Sequence, residues 1–207
     1  MIENTVNEDK ATFLQAVAAV KTRARELAQV RNEFEAAKLA LATAQTTLAE
    51  KYYNGIGVEW SHSEAFKLYM DAAKQGVAEA QFKVGMLWYS HPYGANDKIE
   101  AMRWYKKAAR QGHAQAQFYV AHSYGCGRGV ENGDVEKDAV KSLKWYKKAA
   151  KQGYPEAQHE LGMLYRRRYL SKEGLVAHEE ATRWFKKAAK QAYFASQRAL
   201  DNPEDWL

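Results

Sequence analysis

Two apolar patterns divide the chain. From residue 8 to about residue 53 there is neither proline nor glycine, and a stripe runs Phe13, Ala16, Val20, Leu27, Val30, Phe34, Ala37, Leu41, Ala44, Leu48, broken once by Arg23. Its alternating steps of three and four predict one long helix with a coiled-coil-like face. Such a face can cap the open apolar end of whatever follows, or it can form the seam of a homodimer. The cap is favoured, because Ala36 to Gln45 echoes Ala72 to Gln81, as though a degenerate unit ended near Ala40.

Beyond this segment the apolar positions return as a phrase written four times. It is clearest as Trp104-Tyr105-Lys106-Lys107-Ala108-Ala109-Arg110-Gln111-Gly112, with Ala116-Gln117 four residues on. Trp145 to Gly153 before Ala157-Gln158, Trp184 to Ala192 before Ser196-Gln197, and the looser Leu68 to Gly76 before Ala80-Gln81 repeat it. Units therefore begin at Ala44, Ala80, Ala116 and Ala157, and each reads as helix, loop, helix, turn. In the first helix of each unit the Ala, an aliphatic four later and an aromatic eight later share a face; Ala116, Val120 and Tyr124 are one such set. The small residue after the aliphatic, Ala49, Gly85, Ala121 or Gly162, implies a close neighbour, since a helical glycine costs about 1 kcal/mol relative to alanine. In the second helix the Trp is expected to wedge against the two alanines while the lysines face water. Gly76, Gly112 and Gly153 suit left-handed helix stops.

The pattern predicts an all-α fold: a solenoid of four helix-loop-helix repeats with an N-terminal helical cap and a C-terminal half-repeat. The expected divisions are 1–43 for the N-terminal helix, 44–79, 80–115, 116–156 and 157–195 for the repeats, and 196–207 for the half-repeat and tail. The loops differ: Gly55-Ile56-Gly57-Val58, Ser90 to Gly94, Gly127-Arg128-Gly129-Val130 with extra residues around Asn132-Gly133-Asp134, and Arg166-Arg167-Arg168-Tyr169. The glycine pairs lack the preceding strand of a nucleotide fingerprint and read as tight turns. Trp206 and Leu207 either tuck against the last unit or form a short ligand for another protein.

Charge changes the picture little. The net charge is +6, but residues 1 to 43 hold six acids and six bases, so the excess lies in the repeats and largely in the recurring lysine pair. A lysine at the same place in every unit reads first as a solvated helix face. Cys126 is the only cysteine, which excludes an internal disulfide framework and suggests a reducing, cytoplasmic setting. No basic start followed by an apolar run marks a leader, and no apolar run is long enough to cross a bilayer.

Taken in order, Ala-Gln, Leu-Gly, Tyr, Gly-x-Gly-Val, Ala-x-x-Trp-Tyr-x-Lys-Ala-Ala and Gln-Gly resemble the Sel-one-like repeat, a relative of the tetratricopeptide repeat. The third unit carries Ala116-Gln117, Val120-Ala121, Tyr124, Gly127 to Val130 and Trp145 to Gly153, and departs at Ser142, where Ala is usual. The resemblance covers about residues 44 to 200. It implies a right-handed superhelix of helix pairs serving as an adaptor in protein assemblies, with bacterial relatives among regulators, host-directed factors and toxin-immunity partners.

No catalytic or metal constellation stands out. His62, His91, His113, His122, His159 and His178 never pair at the spacing of a helical metal site, although His122 and His159 occupy nearly equivalent positions in adjacent units. Cys126 has no evident base. The chain is expected to be no enzyme and to need no cofactor. A binding groove is the stronger expectation. Residues two and six after each unit's Ala turn away from the packed stripe: Thr46 and Glu50, Phe82 and Met86, Phe118 and His122, His159 and Met163, with Lys83 and Tyr119 beside them. Phe and Met on an inner wall suit an extended segment or helix of another protein. The competing occupants are filling of a narrow superhelix or the N-terminal helix itself. Arg166, Arg167 and Arg168 with the lysine rows offer a polyanion reading, for which nothing beyond charge speaks.

Overall fold

The computed structural model describes residues 2–90, 98–127, 138–168 and 174–201, with side chains described from residue 13 onward except at 168 and 174–176. The expectations for His91 to Gly94, Arg128 to Asp134, Tyr169 and the Trp206-Leu207 tail lie outside these residues. The described residues form nine helices and no strand: α1 Ile2–Asn54, α2 His62–Lys74, α3 Ala78–Ser90, α4 Lys98–Arg110, α5 Ala114–Cys126, α6 Ala139–Lys151, α7 Pro155–Arg168, α8 Gly174–Ala189 and α9 Phe194–Asp201. Each helix packs chiefly on the one before and the one after it, which is the one-dimensional stacking of an α-solenoid. The end of α1 pairs with α2, then α3 with α4, α5 with α6 and α7 with α8; α9 is the half-repeat.

The repeated small residue sets how close a hairpin closes. A methyl added at Gly85 would stand 2.7 Å from the Tyr105 ring, and one at Gly162 would stand 2.6 Å from Phe185. Tyr105, Tyr146 and Phe185, the residues after each Trp, are 2, 4 and 0 % exposed and fill their own hairpins. In the third hairpin a hydroxyl does part of this work: Ser142 Oγ donates to the Ala121 carbonyl at 2.8 Å. The tryptophans behave differently from expectation. Trp104 joins the cluster of Tyr69, Ala72, Ala73 and Leu87, so its indole reaches back into the preceding unit. The lysine three residues later then lies over each ring, Lys107 at 3.8 Å from the Trp104 centroid and Lys148 and Lys187 at 4.4 Å from Trp145 and Trp184.

Glutamines join one unit to the next. The last carbonyls of a helix have no partner within it. Here Gln81, Gln117 and Gln158 each donate Nε2 to such a carbonyl, on Ala73, Ala109 and Ala150, at 3.1 Å every time. Their Oε1 atoms accept in turn from Gln111, Gln152 and Gln191 at 2.8, 2.8 and 3.0 Å. The Ala-Gln and Gln-Gly ends of the phrase thus form one amide relay through every joint. Gly76, Gly112 and Gly153 take φ of +99, +96 and +93°, which frees the chain to turn, and Ala192 accepts φ +58° in the fourth unit.

The N-terminal segment departs from the expected cap. α1 is continuous through Ala40, so no degenerate unit ends there. The repeats bury only Ala42, Thr46 and Ala49 of it, a face turned one or two residues away from Leu41, Ala44 and Leu48. Because that docking face differs from the apolar stripe, the stripe stays open: Phe13, Val20, Leu27, Val30, Phe34 and Leu41 are each 58 to 69 % exposed.

Candidate functional site

The groove must be built from the first helices, α3, α5 and α7, because their outward faces stand side by side along the stack. Position two after each unit's Ala is packed between units instead of standing free on that wall, although Phe118 keeps an edge on it. Phe82 is 2 % exposed, with its ring 4.7 Å from His113 and 5.7 Å from Tyr105. Phe118 sits likewise between Tyr146 at 5.7 Å and Tyr154 at 5.4 Å, and His159 between Phe185 at 5.4 Å and Tyr193 at 5.2 Å. One ring comes from the same hairpin and the other from the turn that opens the next unit, so this position is a wedge between units. Thr46, at 6 % exposure, is buried with it. Helical periodicity placed these residues on the correct side of the helix but could not show that the next turn covers them.

Positions three and six form the accessible wall. Lys83 Nζ lies 3.5 Å from both Glu50 and Glu79, and Glu79 also meets His113 Nε2 at 2.8 Å, a bond that holds its carboxyl below the ordinary value. Lys83 and Met86 line a narrow cleft of about 30 Å³ with Tyr53, Tyr69 and Leu87. One unit on, Tyr119 lies flat on Tyr105, with centroids 5.1 Å apart and planes 16° apart. Phe118, Tyr119 and His122 there line a cleft of about 220 Å³ with Tyr89, Lys98, Met102, Tyr105, Ser123 and Glu160. Of the expected residues, the structure gathers those three in one place. His159 and Met163 face neither cleft: His159 Nδ1 and Ser196 Oγ are 2.9 Å apart, and Met163 packs toward Phe185.

Glu160 is the residue that sequence reasoning missed, and its signal was present. It stands three residues after Ala157, where the neighbouring units carry Lys83 and Tyr119. Burial pushes its carboxyl above the ordinary range, against the opposing charges of His122 and Arg167. His159, buried between rings, is held below the ordinary imidazole value. Arg166 is half-buried and Arg167 exposed beside Glu160, while the Arg168 side chain lies outside the described residues. Cys126, with no partner evident in the sequence, has its Sγ 3.5 Å from His122 Nε2. His122 therefore turns to Cys126 and Phe118, whereas His159 turns to Ser196. Among the described residues no group of three or more His, Cys, Asp or Glu is placed to hold a metal ion. An aromatic floor with one lysine, one carboxylate and one imidazole at its edge can seat an apolar side chain and orient its polar end.

Stacked helix hairpins with joints of this kind define an α-solenoid, the class of repeat proteins built to present an extended surface. The Sel1 repeat matches four times, at residues 42–77, 78–113, 114–154 and 155–193, and the chain belongs to the Sel1 repeat family. Proteins of this family mediate protein–protein interactions, and their solenoid is typically a non-catalytic scaffold. Among solved structures, the chain is similar to c5321, a protective antigen of uropathogenic Escherichia coli with an SLR fold. They share 35 % identity at a TM-score of 0.68, over 78 % of this chain and 33 % of that one. A Sel1 repeat protein from Oxalobacter formigenes is 27 % identical at a TM-score of 0.59, over 71 % of this chain and 56 % of that one. The immunity protein Pa5087 of Pseudomonas aeruginosa is 22 % identical at a TM-score of 0.49, over 75 % of this chain and 54 % of that one. The chain thus spans from a third to just over half the length of these proteins. No curated protein matches it. Among the described residues no helix is long and apolar enough to cross a membrane.

Proposed function

We propose that this chain is a non-catalytic adaptor that holds a segment of another protein along the wall of α3, α5 and α7, with an apolar side chain anchored in the larger cleft. The observation that carries this reading is the open 220 Å³ space floored by the Tyr105–Tyr119 stack. Such aromatic floors are typical of the anchors that dominate binding energy at interfaces. Lys98 and Glu160 at the rim would set the direction of the bound segment through its charges. Complex assembly, immunity and effector action are each compatible with such a surface, and the partner's identity decides among them. The exposed thiol of Cys126, the only cysteine, suits a reducing, cytoplasmic setting.

A polyanion along the lysine rows has less support. The lysine that recurs as Lys107, Lys148 and Lys187 is already engaged with the tryptophans, and Lys106 and Lys147 lie 5.5 and 5.6 Å from the Tyr124 and Tyr165 rings. The experiment is capture of partners from the native cell with the wild-type chain beside a Tyr119→Ala/His122→Ala variant, followed by titration of the captured protein. The variant is expected to lose affinity roughly tenfold or more, about 1.4 kcal/mol, with little change between low and high salt. Undiminished binding by the variant, or affinity that falls steeply with salt, would refute the reading.

A further inference from the structure

The exposed stripe of α1 has no role in the adaptor surface, and it is too regular to be incidental. We infer that a second copy of this chain covers it, the two α1 helices forming a parallel two-stranded coiled coil over residues 13–41.

Three observations carry this. The first is the heptad itself. With Phe13 as a, the a positions are Phe13, Val20, Leu27, Phe34 and Leu41, each 58 to 69 % exposed in the single chain. The d positions are Ala16, Arg23, Val30 and Ala37. Apolar a and d positions sustained over four heptads, here with Arg23 as the one exception, are the sequence signature of a coiled coil. A helix about 80 Å long with a wholly exposed apolar face gains nothing from packing unless another helix meets it.

The second is charge. The flanking positions that face a parallel partner are g of one helix and e of the next heptad on the other. Here g holds Glu26 and Glu33, and e holds Arg31 and Lys38, while the other flanking positions are the uncharged Val17, Ala19, Ala24 and Ala40. A parallel pair therefore sets Glu26 of one copy against Arg31 of the other, and Glu33 against Lys38, twice over by symmetry. An antiparallel pair faces g to g and e to e, and so sets acid against acid and base against base. Glu26 now meets Arg23 at 2.9 Å, but both side chains are more than half exposed, and such a contact is cheaply exchanged.

The third is clearance. The repeats dock on Ala42, Thr46 and Ala49, one residue round from Leu41, so they hang beside the seam and leave it free. Arg23 is the single polar d position. Such a residue lowers stability while fixing register.

Light scattering on the full chain is expected to give twice the monomer mass of 23.6 kDa at micromolar concentration. A chain that stays monomeric, or that pairs α1 only with a different protein, overturns the inference. Leu27→Lys with Phe34→Lys is expected to give monomers whose repeats melt as before, because both residues lie outside the repeats; a dimer surviving that change overturns it too. Arg23→Leu should tighten the dimer at least tenfold, and loosening would show that residue 23 is not in the seam. For orientation, Ala16→Cys in a Cys126→Ser background should form a disulfide-linked dimer on oxidation; its absence overturns the parallel pairing.

Discussion

Two clefts occupy the same place in successive units. The first is lined by Tyr53, Tyr69, Lys83, Met86 and Leu87; the second puts Tyr89, Tyr105, Tyr119, His122 and Ser123 at the equivalent positions. Both share the pair of tyrosines, yet one encloses about 30 Å³ and the other about 220 Å³. Three exchanges account for it. Leu87, only 6 % exposed, fills space that Ser123 leaves empty. Lys83 is drawn between Glu50 and Glu79 and plugs its cleft, whereas Tyr119 lies flat on Tyr105 and becomes a wall. His122 in place of Met86 adds an edge that can donate or accept a hydrogen bond. The repeat fixes the frame, and a few side chains on the open face decide which joint can receive a ligand.

Both clefts depend most on the tyrosine floor they share. Tyr105→Ala empties a core position between Phe82, Tyr119 and Gly85, and should cost about 3–5 kcal/mol in urea unfolding while abolishing the larger cleft. Ser123→Leu is sharper, since it makes the second cleft resemble the first without touching the core. It should leave the melting temperature within about 2 °C and weaken the captured partner roughly tenfold by calorimetry. The smallest effect concerns Glu160. Burial holds its carboxyl above the ordinary 4.5, so the folded chain binds that proton more tightly than the unfolded one. Its ionisation therefore withholds stability as pH rises through 4.5, completely so above the raised value. Glu160→Gln should raise the melting temperature at neutral pH by no more than about 2 °C, because the group is only partly buried, and should have no effect below 4.5.

How much of this could be read beforehand follows from the kind of signal each feature leaves. Hairpins, turns and the tight approach at Gly85 and Gly162 came directly from the phrase, because local spacing dictates them. The position of Phe82 did not. Its burial depends on His113, thirty-one residues away and covering it from the next unit's opening turn, and no period within one helix encodes that. The N-terminal stripe misled for a related reason. Its steps of three and four identify an apolar face, but Ala42, Thr46 and Ala49 form a second, less conspicuous one that does the docking. Glu160 was overlooked although its register was known, because it is the one acid at a position that holds Thr47, Lys83 and Tyr119 in the other units.

The amide relay has a consequence for how such a chain can grow. Unit three spans 41 residues from Ala116 to Ala157 where the two units before it span 36 each, yet the relay closes at 3.1 Å on both sides of it. Extra sequence between α5 and α6 therefore leaves the hydrogen bonds that join unit three to its neighbours unchanged. The molecule works as a ruler: foreign segments grafted between the helices of a pair would alter what each rung carries, and leave the distance between rungs unchanged.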